Sequence, residues 1–101
     1  KLVIYLPVAN ADEVRKAIGD AGAGRIGNYV NCSFSTRGTG RFLPLEGANP
    51  TIGEVGKAEA VEEERIEVTV DESALASVIS ALKKVHPYEE PAYDVYRLEE
   101  I

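Results

Sequence analysis

Residues 86–96, HPYEEPAYDVY, concentrate the side chains that could do chemistry. The segment holds the only histidine of the chain, His86, and two adjacent glutamates, Glu89 and Glu90. Imidazole and carboxylate groups are ligands that suit copper and zinc ions. Together with the only thiol, Cys32, they predict a metal site formed by His86, Glu89 and Cys32, built by several subunits and holding a divalent cation such as Cu(II) or Zn(II).

The same segment also fits an architectural role. Pro87 and Pro91 fix φ and bias the residues before them, His86 and Glu90, towards extended backbone, which predicts a rigid elbow that begins the last strand. In the last turn of a helix, His86 interacts favourably with the helix dipole and needs no metal for that. Adjacent residues on an extended chain point in opposite directions, so Glu89 and Glu90 are not expected to form a catalytic pair.

The tyrosines of the segment provide large amphipathic surface that suits an interface. We predict that Tyr88, Tyr93 and Tyr96 contribute to one, with Glu90 as a further ligand or interface candidate. Tyr93 and Tyr96 fall on opposite faces of the last strand, so one is expected under the helices and the other on the open side of the sheet. No catalytic residues are predicted, because a single histidine without a nearby nucleophile does not make a Ser-His-Asp set.

The run GAGRIG at residues 22–27 matches G-x-G-x-x-G, the pattern of dinucleotide-binding loops. Such a loop must follow a strand and open a helix, whereas this run closes a predicted helix and leads into a strand. The glycines are therefore interpreted as C-cap and turn residues that need positive φ, and no cofactor site is predicted. Arg25, Asn28 and Arg41, in the glycine-rich loops, are kept as ligand or interface candidates.

Composition narrows the class of protein. The chain has 101 residues, 17 acidic against 11 basic, and a net charge of −6, so its averaged field repels nucleic-acid backbones. No stretch is long and apolar enough for a membrane span. A lone cysteine fits a reducing compartment, and we expect a soluble, cytoplasmic protein with no nucleic-acid or membrane partner.

Hydrophobic periodicity predicts the order of elements. Residues 2–8 are apolar on both faces, as in a central strand, and are followed by a helix that Asn10 is predicted to cap and that ends before Gly22 and Gly24. Residues 28–35 alternate as a half-buried strand with Val30, Cys32 and Phe34 inward, so Cys32 is also interpreted as a buried core thiol. A short return strand over 41–45 and a loop over 47–58 follow.

The second half repeats the pattern of the first. A long strand is predicted over 59–70; Val61 is out of step with Ile66 and Val68, which indicates a β-bulge near Glu63. The glutamates of this strand are interpreted as a solvated strand end, with cation capture as the alternative. A helix capped by Asp71 or Ser73 carries an apolar stripe, and the last strand spans 92–99.

This order predicts one α+β domain over residues 1–101, a ferredoxin-like βαββαβ sandwich. An antiparallel four-stranded sheet carries two helices on one face and an extended hairpin connector between its second and third strands. The uncovered face is expected to be buried by self-association, since a bare face with tyrosine and valine side chains is costly in water.

Several motifs together resemble a known family. The motifs GAGRIGNY, GTGRFLPLEGANPTIG and HPYEEPAYDVY resemble, in the same order over about nine-tenths of the chain, the small insert domain of the Nif-three-like proteins in its stand-alone YqfO-like form. The resemblance implies a fold similar to the CutA and PII proteins, which are trimeric. It also implies a dinuclear metal site in the domain that surrounds the insert, which this chain, with one histidine, is not expected to carry.

These observations predict a non-enzymatic, oligomeric interaction or regulatory module, with a homotrimer favoured. The resemblance to CutA supports one alternative, a divalent-cation-binding protein that uses His86, Glu89 and Cys32. The resemblance to PII supports another, a small-molecule sensor with clefts between subunits.

Overall fold

Two helices and four strands follow one another along residues 1–100, the part of the chain that the computed structural model describes. The strands are β1 (Leu2–Pro7), β2 (Phe34–Phe42), β3 (Glu59–Val68) and β4 (Ala92–Val95). The helices are α1 (Ala11–Asp20) and α2 (Leu75–Val85), each preceded by one short 3-10 turn, at Val8–Asn10 and Glu72–Ala74. Neither helix has the length and apolar character that crossing a membrane requires.

The strands form one antiparallel sheet in the order β2-β3-β1-β4. Each βαβ unit therefore places its two strands apart, with a strand of the other unit next to them. This arrangement confirms the predicted ferredoxin-like α+β fold. It also puts the two ends of the chain side by side, since Lys1 and Tyr96 exchange backbone hydrogen bonds at the end of β1.

The core lies between the two helices and one face of the sheet. Alternate residues of β1 and β3 point towards the helices. Helix residues spaced three or four apart point towards the sheet and complete the core. The large, fully buried side chains of this core are Leu2, Ile4, Leu6, Val14, Ile18, Ile66, Val78 and Leu82. Tyr93, which pairs with Ile4, packs against this cluster, as predicted for one of the two tyrosines of β4.

The predicted strand over 28–35 is wrong, because β2 begins only at Phe34. Val30 and Phe34 are 59% and 63% exposed, and Cys32 is half-buried outside the core rather than a buried core thiol. Backbone groups that would pair with a neighbouring strand form hydrogen bonds within local turns instead. The Cys32 N–H donates to the Gly24 carbonyl at 2.9 Å, and Ile26 pairs with Tyr29. Alternation in the sequence therefore reflects a turn, not a ladder.

The predicted return strand at 41–45 and the bulge near Glu63 are also wrong. β2 runs without interruption to Phe42 and pairs with β3 from Phe34 opposite Glu67 to Phe42 opposite Glu59. Val61 is out of step because it lies opposite Gly40 on the sheet face away from the helices. β1 pairs only with residues 63–68 of β3, so residues 39–42 and 59–62 project beyond it as a two-stranded arm.

Glycines with positive φ end α1 and shape the loop that follows. Gly22, at φ 112°, allows the Ala23 N–H to bond the Ile18 carbonyl and its own N–H to bond Gly19, which is a Schellman motif. This confirms the C-cap and turn interpretation of GAGRIG. The N-terminal ends of the helices differ from prediction, since neither Asn10 nor Asp71 nor Ser73 caps a helix with its side chain.

We predict that Gly24→Ala lowers the free energy of unfolding by about 3 kcal/mol or more, measured by urea denaturation. Gly24 has φ 77°, and a Cβ there would lie 2.7 Å from the Cys32 amide nitrogen. Gly27→Ala is the matched control, because Gly27 also has positive φ but open space around it. It should cost only about 1–2 kcal/mol for the left-handed backbone; equal losses would contradict the steric argument.

Candidate functional site

A pocket of about 690 Å³ opens on the sheet face that the helices leave uncovered. Its walls come from the arm, from the loop 43–52 that returns over it, and from the elbow 88–92. The large apolar and aromatic side chains of the lining are Tyr5, Phe42, Leu43, Pro44, Pro50, Ile52 and Tyr88. We call this cavity the arm pocket; its volume lies within the range of about 300–1,000 Å³ that is usual for small-molecule sites.

A glycine in β2 makes room for a buried carboxylate in the pocket wall. Glu63 lies on the uncovered face of β3, and its carboxylate occupies the space that a side chain at position 40 would need. Gly40 thus lets Glu63 lie across β2, where it is only 8% exposed. The glycine and the glutamate depend on each other through this contact.

A chain of hydrogen bonds connects this carboxylate to the centre of the sheet. The Tyr88 hydroxyl donates to Glu63. The Tyr88 backbone N–H donates to His86 Nδ1 at 3.2 Å, and His86 Nε2 lies 2.9 Å from the Tyr5 carbonyl oxygen. A carbonyl only accepts and a backbone N–H only donates, so Nε2 carries the proton, Nδ1 is unprotonated and the imidazole is neutral. Both ring nitrogens are therefore engaged, and the imidazole attaches the elbow to β1.

Burial dominates the electrostatics of this hydrogen-bonded chain. Desolvation lowers the pKa of His86 by more than the Tyr5 carbonyl and the Glu63 carboxylate raise it. Desolvation, then the hydrogen bond to Glu63 and the charge of Glu63, raise the pKa of the Tyr88 hydroxyl strongly. At neutral pH the imidazole and the phenol are thus both uncharged beside a buried carboxylate.

Four residues predicted to be functional line the arm pocket. They are Arg41, Tyr88, Glu89 and Glu90. Glu89 Oε1 accepts a hydrogen bond of 2.9 Å from the Asn49 backbone N–H, which holds the returning loop against the elbow. The predicted rigid elbow is thus one wall of the site.

The other predicted site residues lie elsewhere. Arg25 and Asn28 are exposed in the turn between α1 and β2 and do not line the pocket. Tyr93 contacts the core, whereas Tyr96 is 52% exposed, as predicted for tyrosines on opposite faces. The ligand and interface candidates therefore divide between the pocket, the first loop and the two faces of β4.

The predicted metal ligands do not come together within residues 1–100. Among residues 1–100 no three His, Cys, Asp or Glu side chains form a group able to hold a metal ion. His86 uses both ring nitrogens, Glu89 bonds Asn49, and Cys32 lies beside α1 in a different cavity. The same finding means that these residues do not fit the dinuclear centre that the family resemblance implies. Binding of a metal between subunits through His86, Glu89 and Cys32 stays a prediction.

Sequence reasoning missed the residues at the centre of the site. Glu63 falls in the acidic run that the sequence predicts to be a solvated strand end, with cation capture as the alternative, and Tyr5, Phe42 and Arg65 carry no functional prediction. One pattern could have found them: with β2 paired to β3, the glycines of GTG at 38–40 fall opposite Glu63 and Val61. Missing side chains opposite a glutamate indicate a space that the carboxylate can enter.

Curated proteins similar to this chain share one name. Proteins named GTP cyclohydrolase 1 type 2 homolog are 54% identical over 98 residues in Halalkalibacterium halodurans, 51% over 98 in Mycobacterium tuberculosis and 51% over 100 in Bacillus subtilis. These alignments cover 97–99% of this chain but 26–27% of each relative. The chain thus spans about a quarter of the length of these relatives. No family model matches the chain.

A solved structure agrees with the sequence comparison. The crystal structure of a Bacillus cereus protein related to NIF3 superposes with a TM-score of 0.85 at 52% identity, over 98% of this chain and 25% of that one. The fold and the pocket define the class: a ferredoxin-like α+β domain with a cavity on its open sheet face. Its homologues place it more closely, and the chain belongs to the NIF3-related, or Nif-three-like, family as a segment of domain length.

Acidification through the titration range of His86 should destabilise the protein. The pKa of His86 in the folded protein lies below its ordinary value of 6.5. The stability contributed by the neutral imidazole is therefore fully present above pH 6.5 and is lost as the pH falls through the folded pKa. We expect the urea midpoint to fall between about pH 7.5 and pH 5.5, before most carboxylates titrate. His86→Gln removes the titrating group and should flatten this slope; a wild-type midpoint that is constant over the range would contradict the prediction.

Removal of the Tyr88 hydroxyl should destabilise the protein through Glu63. Tyr88→Phe keeps the ring but leaves the buried carboxylate without its donor, at an expected cost of about 1–3 kcal/mol in urea unfolding. Tyr29→Phe is the control, because Tyr29 is 74% exposed and should change stability by less than about 0.5 kcal/mol. Equal effects of the two substitutions would show that the Tyr88–Glu63 bond contributes nothing.

Proposed function

We propose that this domain is a non-enzymatic interaction module that associates with copies of itself through the sheet face that carries no helix, with a trimer favoured. The observation that carries the proposal is the one-sided covering of the sheet. Phe34 at the β2 edge is 63% exposed, and Tyr96 beside β4 is 52% exposed. Exposed aromatic groups at both edges of one face are typical of surfaces that bind protein.

The middle of this face supports the same proposal. Tyr5 of β1 is half-buried and points to it, whereas Val3 on the same face is only 1% exposed, and their neighbours in register include Glu67, Asp94 and Arg65. Apolar groups alternating with charges of both signs suit contact with a like surface, where opposite charges can pair. The resemblance to the trimeric CutA and PII proteins leads to the same expectation.

The state of the only histidine favours a non-enzymatic role. General acid–base catalysis most often uses an imidazole that is free to exchange a proton. In His86, by contrast, both ring nitrogens form structural hydrogen bonds. The name of the curated relatives refers to GTP cyclohydrolase. This chain spans about a quarter of those proteins, and we propose no such activity for it.

Binding of a small molecule is a second candidate function. The arm pocket favours it, since the cavity is mostly apolar, has a few convergent polar groups and lies against the rigid elbow. In an oligomer joined through the open face, this pocket would lie near a neighbouring subunit. The two functions are therefore compatible in one molecule.

Light scattering coupled to size exclusion tests the association. We expect a mass near three times the 10.9 kDa of one chain at micromolar concentration. Phe34→Asp places a charge on the open face and should reduce the mass towards that of one chain. Tyr29→Asp adds the same charge at an exposed site outside the sheet and should leave the mass unchanged. A monomeric wild-type protein would refute the proposed interface.

A further inference from the structure

We infer that the arm pocket binds an organic cation with an apolar body, whose ammonium or guanidinium group is received by the carboxylate of Glu63. This inference rests on the second candidate function, the binding of a small molecule. The observation behind it is a buried negative charge in the pocket wall that has no counter-ion within residues 1–100.

Two neighbouring glutamates of β3 show how unusual this charge is. Glu64 is 7% exposed and points to the helix face, where Arg15 forms an ion pair with it. Glu63 is 8% exposed and points to the pocket, where within residues 1–100 only the neutral Tyr88 hydroxyl donates to it. Buried charges in proteins are normally paired, because desolvation of a lone ion is costly. A cationic ligand would give Glu63 the partner that Glu64 already has.

The aromatic walls of the pocket favour the same sign of charge. Tyr5, Phe42 and Tyr88 line the cavity, and the rings of Phe42 and Tyr88 pack edge to face with centroids 5.9 Å apart. The faces of aromatic rings attract cations, and such rings combined with a carboxylate are a common way of binding alkylammonium groups. The apolar part of the ligand would contact Leu43 and Ile52 of the returning loop.

The remaining charges around the pocket do not compensate Glu63. The Arg65 guanidinium carbon lies 5.9 Å from the Tyr5 ring centre, and its Nε is 3.8 Å from Glu67. Arg37 and Arg41 contribute to the lining, but they pair with Glu64 and Ala60 and so belong to the opposite face of the ribbon from Glu63.

Two further carboxylates, those of Glu89 and Glu90, lie on the elbow side of the cavity. His86, which contacts Tyr88, is neutral because both of its nitrogens are engaged. The pocket lining thus contains three carboxylates and three guanidinium groups, but only the guanidinium of Arg65 projects from the same sheet face as Glu63. The carboxylate of Glu63, buried and without a counter-ion within residues 1–100, favours a cation over an anion.

Three probes with the same ring system and different head groups test the inference. Naphthylmethylammonium, naphthylmethanol and naphthylacetate are titrated into the full chain and followed by two-dimensional amide NMR. We expect the ammonium probe to bind at least about tenfold more tightly than the alcohol or the acetate, and to shift amides of residues 38–42, 63 and 88.

Charge-neutral variants identify the group responsible. Glu63→Gln should weaken binding of the ammonium probe by about tenfold or more and leave the alcohol unaffected. Glu62→Gln is the matched control, since Glu62 precedes Glu63 on the same strand but is exposed, lies on the opposite face and does not line the pocket. Its affinity for the ammonium probe should equal that of the wild type.

The outcomes separate the ligand class from the pocket itself. Equal or tighter binding of the alcohol or acetate in the pocket would overturn the cationic ligand but keep small-molecule binding. No binding of any probe up to millimolar concentration would overturn both. If Glu63→Gln does not fold, the comparison of the three probes on the wild-type chain decides the question alone.

Discussion

The imidazole of His86 is the contact on which the far end of this domain depends. It joins the elbow after α2 to the Tyr5 carbonyl of β1, so that β4 begins where it can pair with the other edge of β1. The same attachment presents Tyr88 to Glu63 and completes one wall of the arm pocket. Because a proton on Nδ1 would break the bond from Tyr88, this part of the architecture requires a neutral imidazole.

Space is the second constraint, and glycine provides it in two places. In the turn after α1, Gly24 permits the backbone to pass close to Cys32. In the arm, Gly40 permits a carboxylate to lie flat across the neighbouring strand. The first contact stabilises the fold, whereas the second creates a buried charge beside a cavity. Glycine thus permits a close backbone approach in a turn and makes room for a buried carboxylate in a strand.

The two faces of the sheet differ in the groups that they contain. The helix face contains the core and the buried carboxylate of Glu64, whose charge is paired with that of Arg15. The open face contains the arm pocket at one end and exposed aromatic side chains at its edges. An interaction module and a small-molecule site can share this face, because the pocket lies towards the arm while Phe34 and Tyr96 lie at the opposite end of the strands.

The sequence by itself determined the fold class, the two helices, the central strand β1 and the elbow, because periodicity and proline act within a few residues of one another. It placed Tyr93 and Tyr96 on opposite faces for the same reason. Only the tertiary structure decided the start of β2, the absence of a bulge and the neighbours of Glu63, since these depend on which strands pair and in what register. The site forms where residues 5, 40, 63 and 88 come into contact. These residues are far apart in the sequence, so no local pattern predicts the contact.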